Sequence, residues 1–460
     1  MRRIAAISAL LLAGCSTNSP APQRPPIEIP QAWKESAPRF AEDGRWWRIY
    51  EDQELEKIVD EALQGNADLV IAAARVDEAR AVLGEARSFF FPRVDAQGSA
   101  TRQEISTRTA TAFPGIPREF SSYRGTLNVS YEVDLFGRLR AGADAARAEL
   151  AASEASREAV RLALAAQVAK SYYALRSFEQ QVILTRQTLD LREEALGLQR
   201  KRRDAGVIGD YELRQLEAEA AAARAQLPGL EQQREREEVA LQVLLGRDAK
   251  QVFETQIARR ETAEEKFLPP VVPAGMPSEL LLRRPDLVEA ERHLAAANAR
   301  VAAARAEMFP SIALTGVLGS ESAALSNLFS GPAMLWTLGA AVTQPIFAGG
   351  RLEARTEQAR ARERALVAQY QQAVRVAFSE VRNALVAQLR ARETYEAESA
   401  RADALADTLR LARLRYTSGI ASQLEVMDAE RGLLAARAAR IDALRAHRAA
   451  VADLFRALGG

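Results

Sequence analysis

Few residues in this chain could do chemistry. There is one Cys, Cys15, and there are two His, His293 and His447, far apart in sequence. A single thiol excludes an internal disulfide, and a zinc or haem centre would lack its usual ligands. Adjacent carboxylates occur at Glu193-Glu194 and Glu237-Glu238. Both pairs sit in helical charge runs, not in the arrangement of a general acid and base. There is no Gly-rich phosphate loop, nucleophile motif or metal-ligand spacing, so the chain reads as a non-enzyme without cofactor. Its 62 basic and 61 acidic residues are interspersed and leave a net charge of +1, which carries no nucleic-acid footprint. One pair stands in a useful relation. Leu424 and Asp428 are i and i+4, so they share a helix face. By themselves they read as seam packing and a solvated helix charge.

The elements around this pair are very long helices. From Leu139 to Leu245 the chain is rich in Ala, Leu, Arg, Glu and Gln, with no Pro before Pro228. A seam runs Leu164, Val168, Ser171, Leu175, Phe178, Val182, Thr185, Leu189 in steps of four and three, a coiled-coil period. It resumes as Leu213, Leu216, Ala220, Ala223, Leu227, Leu230. Between them Asp204-Ala205-Gly206-Val207-Ile208-Gly209 reads as a turn, with Gly at a helix end. A helix from Arg138 to Asp204 would be roughly 100 Å long. The hairpin then recurs: Arg138-Leu139, Gly206 and Leu245-Gly246 match Arg351-Leu352, Gly419 and Leu458-Gly459, each 213 residues on. Pro228 has Ile441 as its counterpart, so a kink is expected in one hairpin only.

Each hairpin is preceded by alternating segments. A helix over Leu55 to Arg87 ends at Phe89-Phe90-Phe91-Pro92, and the period changes to two. Val94, Ala96, Gly98 and Ala100 alternate with polar residues, and so do Tyr123, Gly125, Leu127, Val129, Tyr131 and Val133. In the second half the strands lie at Ile312–Leu318 and Trp336–Val342, and the spacing from Asp68 to Pro92 equals that from Asp286 to Pro310. Strands of roughly ten residues suit a tilted bilayer crossing; a sheet with one wet face is the other reading. Four strands cannot close a barrel, and an open edge in lipid costs several kcal/mol per backbone group, so such a sheet must be completed by other copies. No later stretch has the 18 or so apolar residues of a spanning helix.

Arg2, Arg3 and the apolar run Ile4 to Leu12 form a targeting segment. Its end, Leu12-Ala13-Gly14-Cys15, resembles the lipobox of bacterial lipoproteins, which implies cleavage before Cys15 and a lipid on its sulfur; an ordinary secretory signal is the alternative. The organisation expected is a signal peptide over 1–14, a Pro/Ser/Gln-rich lipidated tether over 15–31, a first repeat over 32–247, a linker over 248–277 and a second repeat over 278–460.

Three segments are similar to the outer-membrane factor family of tripartite efflux systems (TolC and OprM type): the linker signature Gly275-Met-Pro-Ser-Glu-Leu-Leu-Leu-Arg-Arg-Pro-Asp286, the strand-to-helix junction Gln344-Pro-Ile-Phe347-Ala-Gly-Gly-Arg-Leu352, and the turn Arg415-Tyr416-Thr-Ser-Gly419-Ile-Ala-Ser-Gln-Leu424-Glu-Val-Met-Asp428-Ala-Glu-Arg431. With the lipobox and the duplication, the resemblance covers the mature chain and leans to the OprM branch. It implies an α+β membrane protein with two structural repeats per chain. Three chains would form a twelve-stranded outer-membrane β-barrel that continues into a periplasmic α-helical barrel, a passive exit channel in outer-membrane lipid. A periplasmic adaptor and an inner-membrane transporter, of proton-driven RND type, would be its partners. The resemblance assigns Leu424, Asp428 and Arg431 to the periplasmic gate. The turn residues Gly206, Val207, Gly209, Ser418, Gly419, Ile420 and Ser422 would dock the adaptor. A type I protein-secretion channel uses the same fold; a periplasmic coiled-coil adaptor lipoprotein would explain the hairpins but not the alternating strands.

Overall fold

The structure is a computed structural model and describes residues 44–106, 118–258, 268–270 and 280–460. Cys15, the signal peptide, the tether and residues 275–279 of the linker signature lie outside the described residues. In chain order the elements are α1 (Gln53–Gly65), α2 (Ala67–Ser88), β1 (Arg93–Glu104), β2 (Glu119–Val133), α3 (Arg138–Asp204), α4 (Asp210–Leu244), α5 (Ala249–Glu254), α6 (Leu280–Arg283), α7 (Pro285–Ala306), β3 (Ser311–Ser322), β4 (Met334–Thr343), α8 (Arg351–Thr417) and α9 (Gln423–Leu458). α3 and α8 are 67 residues each, and α4 runs through Pro228 unbroken. The chain divides into two compact units.

The first unit holds Arg75–Glu154 and Glu289–Gln371. Its centre is one antiparallel sheet in the order β1-β2-β3-β4. The register places Val94 opposite Val129, Leu127 opposite Leu318, and Leu318 opposite Trp336. Because side chains alternate across a strand, these residues make one continuous apolar face; Trp336, Leu338 and Val342 on it are 68, 79 and 68% exposed. The other face carries Gln97, Thr126, Asn128, Thr315 and Thr337. β1 and β4 pair only inward, so each leaves an edge unpaired among the described residues.

β2 and β3 approach closely at Gly319. A Cβ there would stand 2.1 Å from the Gly125 carbonyl oxygen and 2.8 Å from Thr126 Cα. Gly319→Val should therefore part the two strands and abolish the oligomer expected to complete the sheet, as read on gels of unheated and heated samples. Gly98→Val, in the same sheet with open space around its Cα, should leave it; equal behaviour of the two variants would refute the packing argument. Below the sheet Asp134 caps α3, accepting from Leu139 N and Arg140 N at 3.1 and 2.9 Å. Arg138 donates twice to Glu132, and Phe136 stacks on Phe309 with centroids 5.0 Å apart. His293 on α7 donates toward Glu149 on α3 at 3.0 Å; hydrogen bonds to Glu149 and Glu289 push its pKa up to about 9.

The second unit holds 44–74, Ala155–Val288 and Gln372–Gly460. Of the seam expected on α3, Leu164, Val168, Ser171, Leu175, Val182 and Thr185 are buried, and Phe178 and Leu189 are half-buried. The single helix expected over Leu55 to Arg87 is instead two, and the reason is tertiary. Asn66 is extended, at φ −67° and ψ 131°. Its Oδ1 accepts from Asp68 N at 2.8 Å and its Nδ2 donates to the Leu244 carbonyl at 2.9 Å. The break thus starts α2 and caps the end of α4. Its repeat counterpart is Arg284, 6% exposed, which donates to the Ala457 carbonyl, to Asp286 and to Glu380.

The pair Glu237-Glu238 is also not a solvated charge run. Glu238 is buried and accepts from Ile257 N at 2.9 Å, while Glu237 accepts from Ser171 Oγ. Beside it Arg176 donates to Glu179 and to the Ala258 carbonyl. These groups pin the start of the linker, where Asp248 and Gln251 form a capping box on α5.

His447 is fully buried, and neither ring nitrogen has a hydrogen-bond partner among the described residues. Burial, then Arg392 and Arg448, push its pKa down to about 4. The unfolded chain binds a proton here near pH 6.5, so stability falls as pH drops from about 6.5 to about 4 and not further from this group, a loss on the order of 3 kcal/mol. His447→Leu should shrink the difference between melting temperatures measured at pH 7 and pH 4.5; an unchanged difference would show that His447 does not set it.

Candidate functional site

The two hairpin turns are built alike. Gly206 has φ +70° and Gly419 φ +72°. Val207 N donates to the Arg202 carbonyl and Ile420 N to the Arg415 carbonyl, both at 2.9 Å. Gly206 N and Gly419 N bond three residues back, at 2.9 and 3.0 Å. This is the Schellman closure, in which a left-handed residue lets the last carbonyls of a helix be satisfied. Gly209 and Ser422 then open α4 and α9 as extended N-cap residues, without a side-chain cap bond. The turns expose apolar side chains: Val207 is 61% exposed, Ile420 72% and Tyr211 70%. Ser418 is exposed as well.

Leu424 and Asp428 lie on one face of α9, turned from the core. Leu424 is 45% exposed, and the Asp428 side chain 61%. Their neighbours Val426, Met427 and Ala429 are buried. Asp428 Oδ1 lies 3.3 Å from Arg431 Nη1. Arg431 also donates to Glu219 on α4 at 2.8 Å. Glu219 in turn lies 3.1 Å from Arg192 on α3, and Arg192 donates to the Glu219 carbonyl as well. Four alternating charges therefore run from the second hairpin into the first. Two further contacts tie the hairpins. Arg202 and Gln199 donate to the Tyr416 hydroxyl at 2.6 and 3.3 Å, and Met427 inserts among Leu196, Leu213, Leu216 and Ala220. Glu219, Arg192 and Arg202 were not among the residues expected here, and Tyr416 and Met427 stood in the turn motif without a role of their own. A signal for the latch was available: Glu219 and Arg431 are charged where their repeat counterparts, Gly432 and Ala218, are not. No cluster able to hold a metal ion occurs among the described residues.

The sequence matches the family described as outer membrane efflux protein over residues 58–247 and 276–460. The chain belongs to that family. It is 34% identical to the probable efflux pump outer membrane protein TtgC of Pseudomonas putida, over 99% of this chain and 94% of the relative. It is 32% identical to SilC of Salmonella typhimurium, named a probable outer membrane lipoprotein, over 98% of this chain and 96% of the relative. Among solved structures it resembles the MtrE outer membrane channel of Neisseria gonorrhoeae in its open state, with a TM-score of 0.83 and 33% identity, covering 95% of this chain and 97% of that one. The fold is that of this family, barrel strands leading into a helical barrel. The protein is an outer-membrane efflux channel, and the family is not one of enzymes.

Proposed function

We propose that three copies of this chain close one barrel through the free edges of β1 and β4 and serve as the passive exit duct of a tripartite pump. The observation that carries this reading is the sheet: one continuous apolar face, one polar face and two unpaired edges. Unpaired edges in lipid cost several kcal/mol per group, and closed barrels begin at about eight strands. A lipid on Cys15 anchors each copy. The exposed turns around Gly206 and Gly419 dock a periplasmic adaptor, and an RND-type inner-membrane transporter supplies the energy and selects small solutes. Leu424 forms an apolar constriction, Asp428 an acidic ring and Arg431 the tie that holds both against the first hairpin. Detergent extracts of outer membranes should contain a trimer that dissociates on heating and inserts into planar bilayers with stepwise conductance. A monomer without conductance would refute the reading.

A further inference from the structure

The apolar face of the sheet has a definite height, and it ends in charge. On β2 its residues run from Val133 to Tyr123. That is roughly 33 Å along a strand at about 3.3 Å per residue, or about 25 Å of height for a strand tilted by about 40°. The lipid-facing band of an outer-membrane barrel has this height. Tyr131 and Tyr123 stand near its two borders, where aromatic side chains mark a membrane interface. β1 and β2 continue past Tyr123, at the end of the sheet opposite α3 and α8. There Arg102 Nη2 donates to Glu119 Oε2 at 2.7 Å, and Arg118 Nη2 donates to Glu104 Oε1 at 2.6 Å. By strand alternation Arg102, Glu104 and Glu119 share the face of Tyr123 and Val129. The two arginines are 77 and 62% exposed. Among the described residues each guanidinium holds one carboxylate through one nitrogen, and the rest of its fork is open.

We propose that this rim is a docking surface for lipopolysaccharide, with Arg102 and Arg118 binding the phosphates of its lipid moiety. The rim lies beyond the outer border of the band, at head-group level, and the outer leaflet of an outer membrane is built of lipopolysaccharide. A phosphate offers paired oxygens that match a guanidinium fork. Glu104 and Glu119 are positioning residues. They hold the forks in place, so less side-chain freedom is lost on binding. Divalent cations that cross-link neighbouring lipid phosphates satisfy the remaining carboxylate oxygens. As exposed ion pairs the two bridges add little to stability by themselves, so their place on the lipid-facing side is accounted for by a ligand there. Arg124 and Glu321 give the contrast. They pair at 3.9 Å on the polar face, which lines the duct and meets no lipid. The inference rests on the barrel proposed above, and adds that the phosphates of the surrounding lipid strengthen the assembled channel.

The test is the heat dissociation of detergent-solubilised trimers, read on gels, with added lipopolysaccharide or with the same lipid stripped of its lipid-moiety phosphates. The wild-type chain should dissociate at a temperature on the order of 5 °C higher with the phosphorylated lipid than with the stripped one. Arg102→Gln with Arg118→Gln should lose that difference, while its dissociation temperature without lipid stays that of the wild type. Arg102→Lys with Arg118→Lys keeps the charge but not the fork, and should retain only part of the difference. Arg124→Gln should behave as the wild type. A double glutamine variant that keeps the full difference, whatever its own stability, would overturn the docking. A chain that is monomeric before lipid is added would overturn the assembly, and the docking with it.

Discussion

A Gly419→Val chain is expected to reach the outer membrane as a trimer and to support no efflux. At φ +72° the residue occupies the left-handed region, which costs an L residue roughly 1–2 kcal/mol and a β-branched one more. Nothing lies within 4 Å of a Cβ placed there, so the effect comes from the backbone alone. The chain relieves the strain by reopening the Schellman closure, which moves Ile420 and re-aims the start of α9, with Leu424 and Asp428 on it. The buried residues of the hairpin nearest the turn are Ala412 on α8 and Val426 on α9, outside the closure itself, so assembly should survive. Asn tolerates the left-handed region, and Gly419→Asn should restore most of the activity. The measurement is drug or solvent tolerance in a strain lacking its own channel, with trimer yield as control. Normal tolerance in the Val variant would remove this turn from the docking surface.

The second large effect is expected at Asp428. Among the described residues its carboxylate pairs with Arg431 alone, at 3.3 Å, and Arg431 keeps its bonds to Glu219 without it. An exposed pair of this kind contributes at most about 1 kcal/mol, so Asp428→Ala should leave the melting temperature almost unchanged. In a three-fold assembly the same substitution removes three charges from one ring beside the Leu424 constriction, and resting conductance in planar bilayers should rise several-fold. Arg431→Ala should raise it too, but with a lower melting temperature, because it also cuts the tie to the first hairpin. Conductance unchanged in Asp428→Ala would take this residue out of the gate.

The two substitutions differ in how visible they were beforehand. Gly419 could be found from sequence, because a glycine at the end of a long helical run, repeated at Gly206, has one structural meaning. Leu424 and Asp428 could be placed on one face by their spacing. That this face is the one turned from the core became clear only when Val426, Met427 and Ala429 were found buried beside it. Glu219 was invisible as a partner of Arg431, since 212 residues separate them and no local pattern links positions so far apart.

Local rules account for what was legible. Hairpins and strands are written in periods of 3.5 and 2 and in helix-end glycines, which act over a few residues, and the duplication of the hairpins in a constant offset of 213. The seam from Leu164 to Thr185 follows from that periodicity and is buried except at Phe178, which is half-buried. Tertiary contact settled the rest. Asn66 breaks a helix that propensity would continue, because its side chain is needed at Leu244. Glu238 is drawn inward because the backbone of Ile257 needs an acceptor. The latch from Asp428 to Arg192 exists because two hairpins, identical in period, are packed side by side and differ in the charges they bring. Periodicity determines which face of an element is buried; only packing determines which partner that face meets.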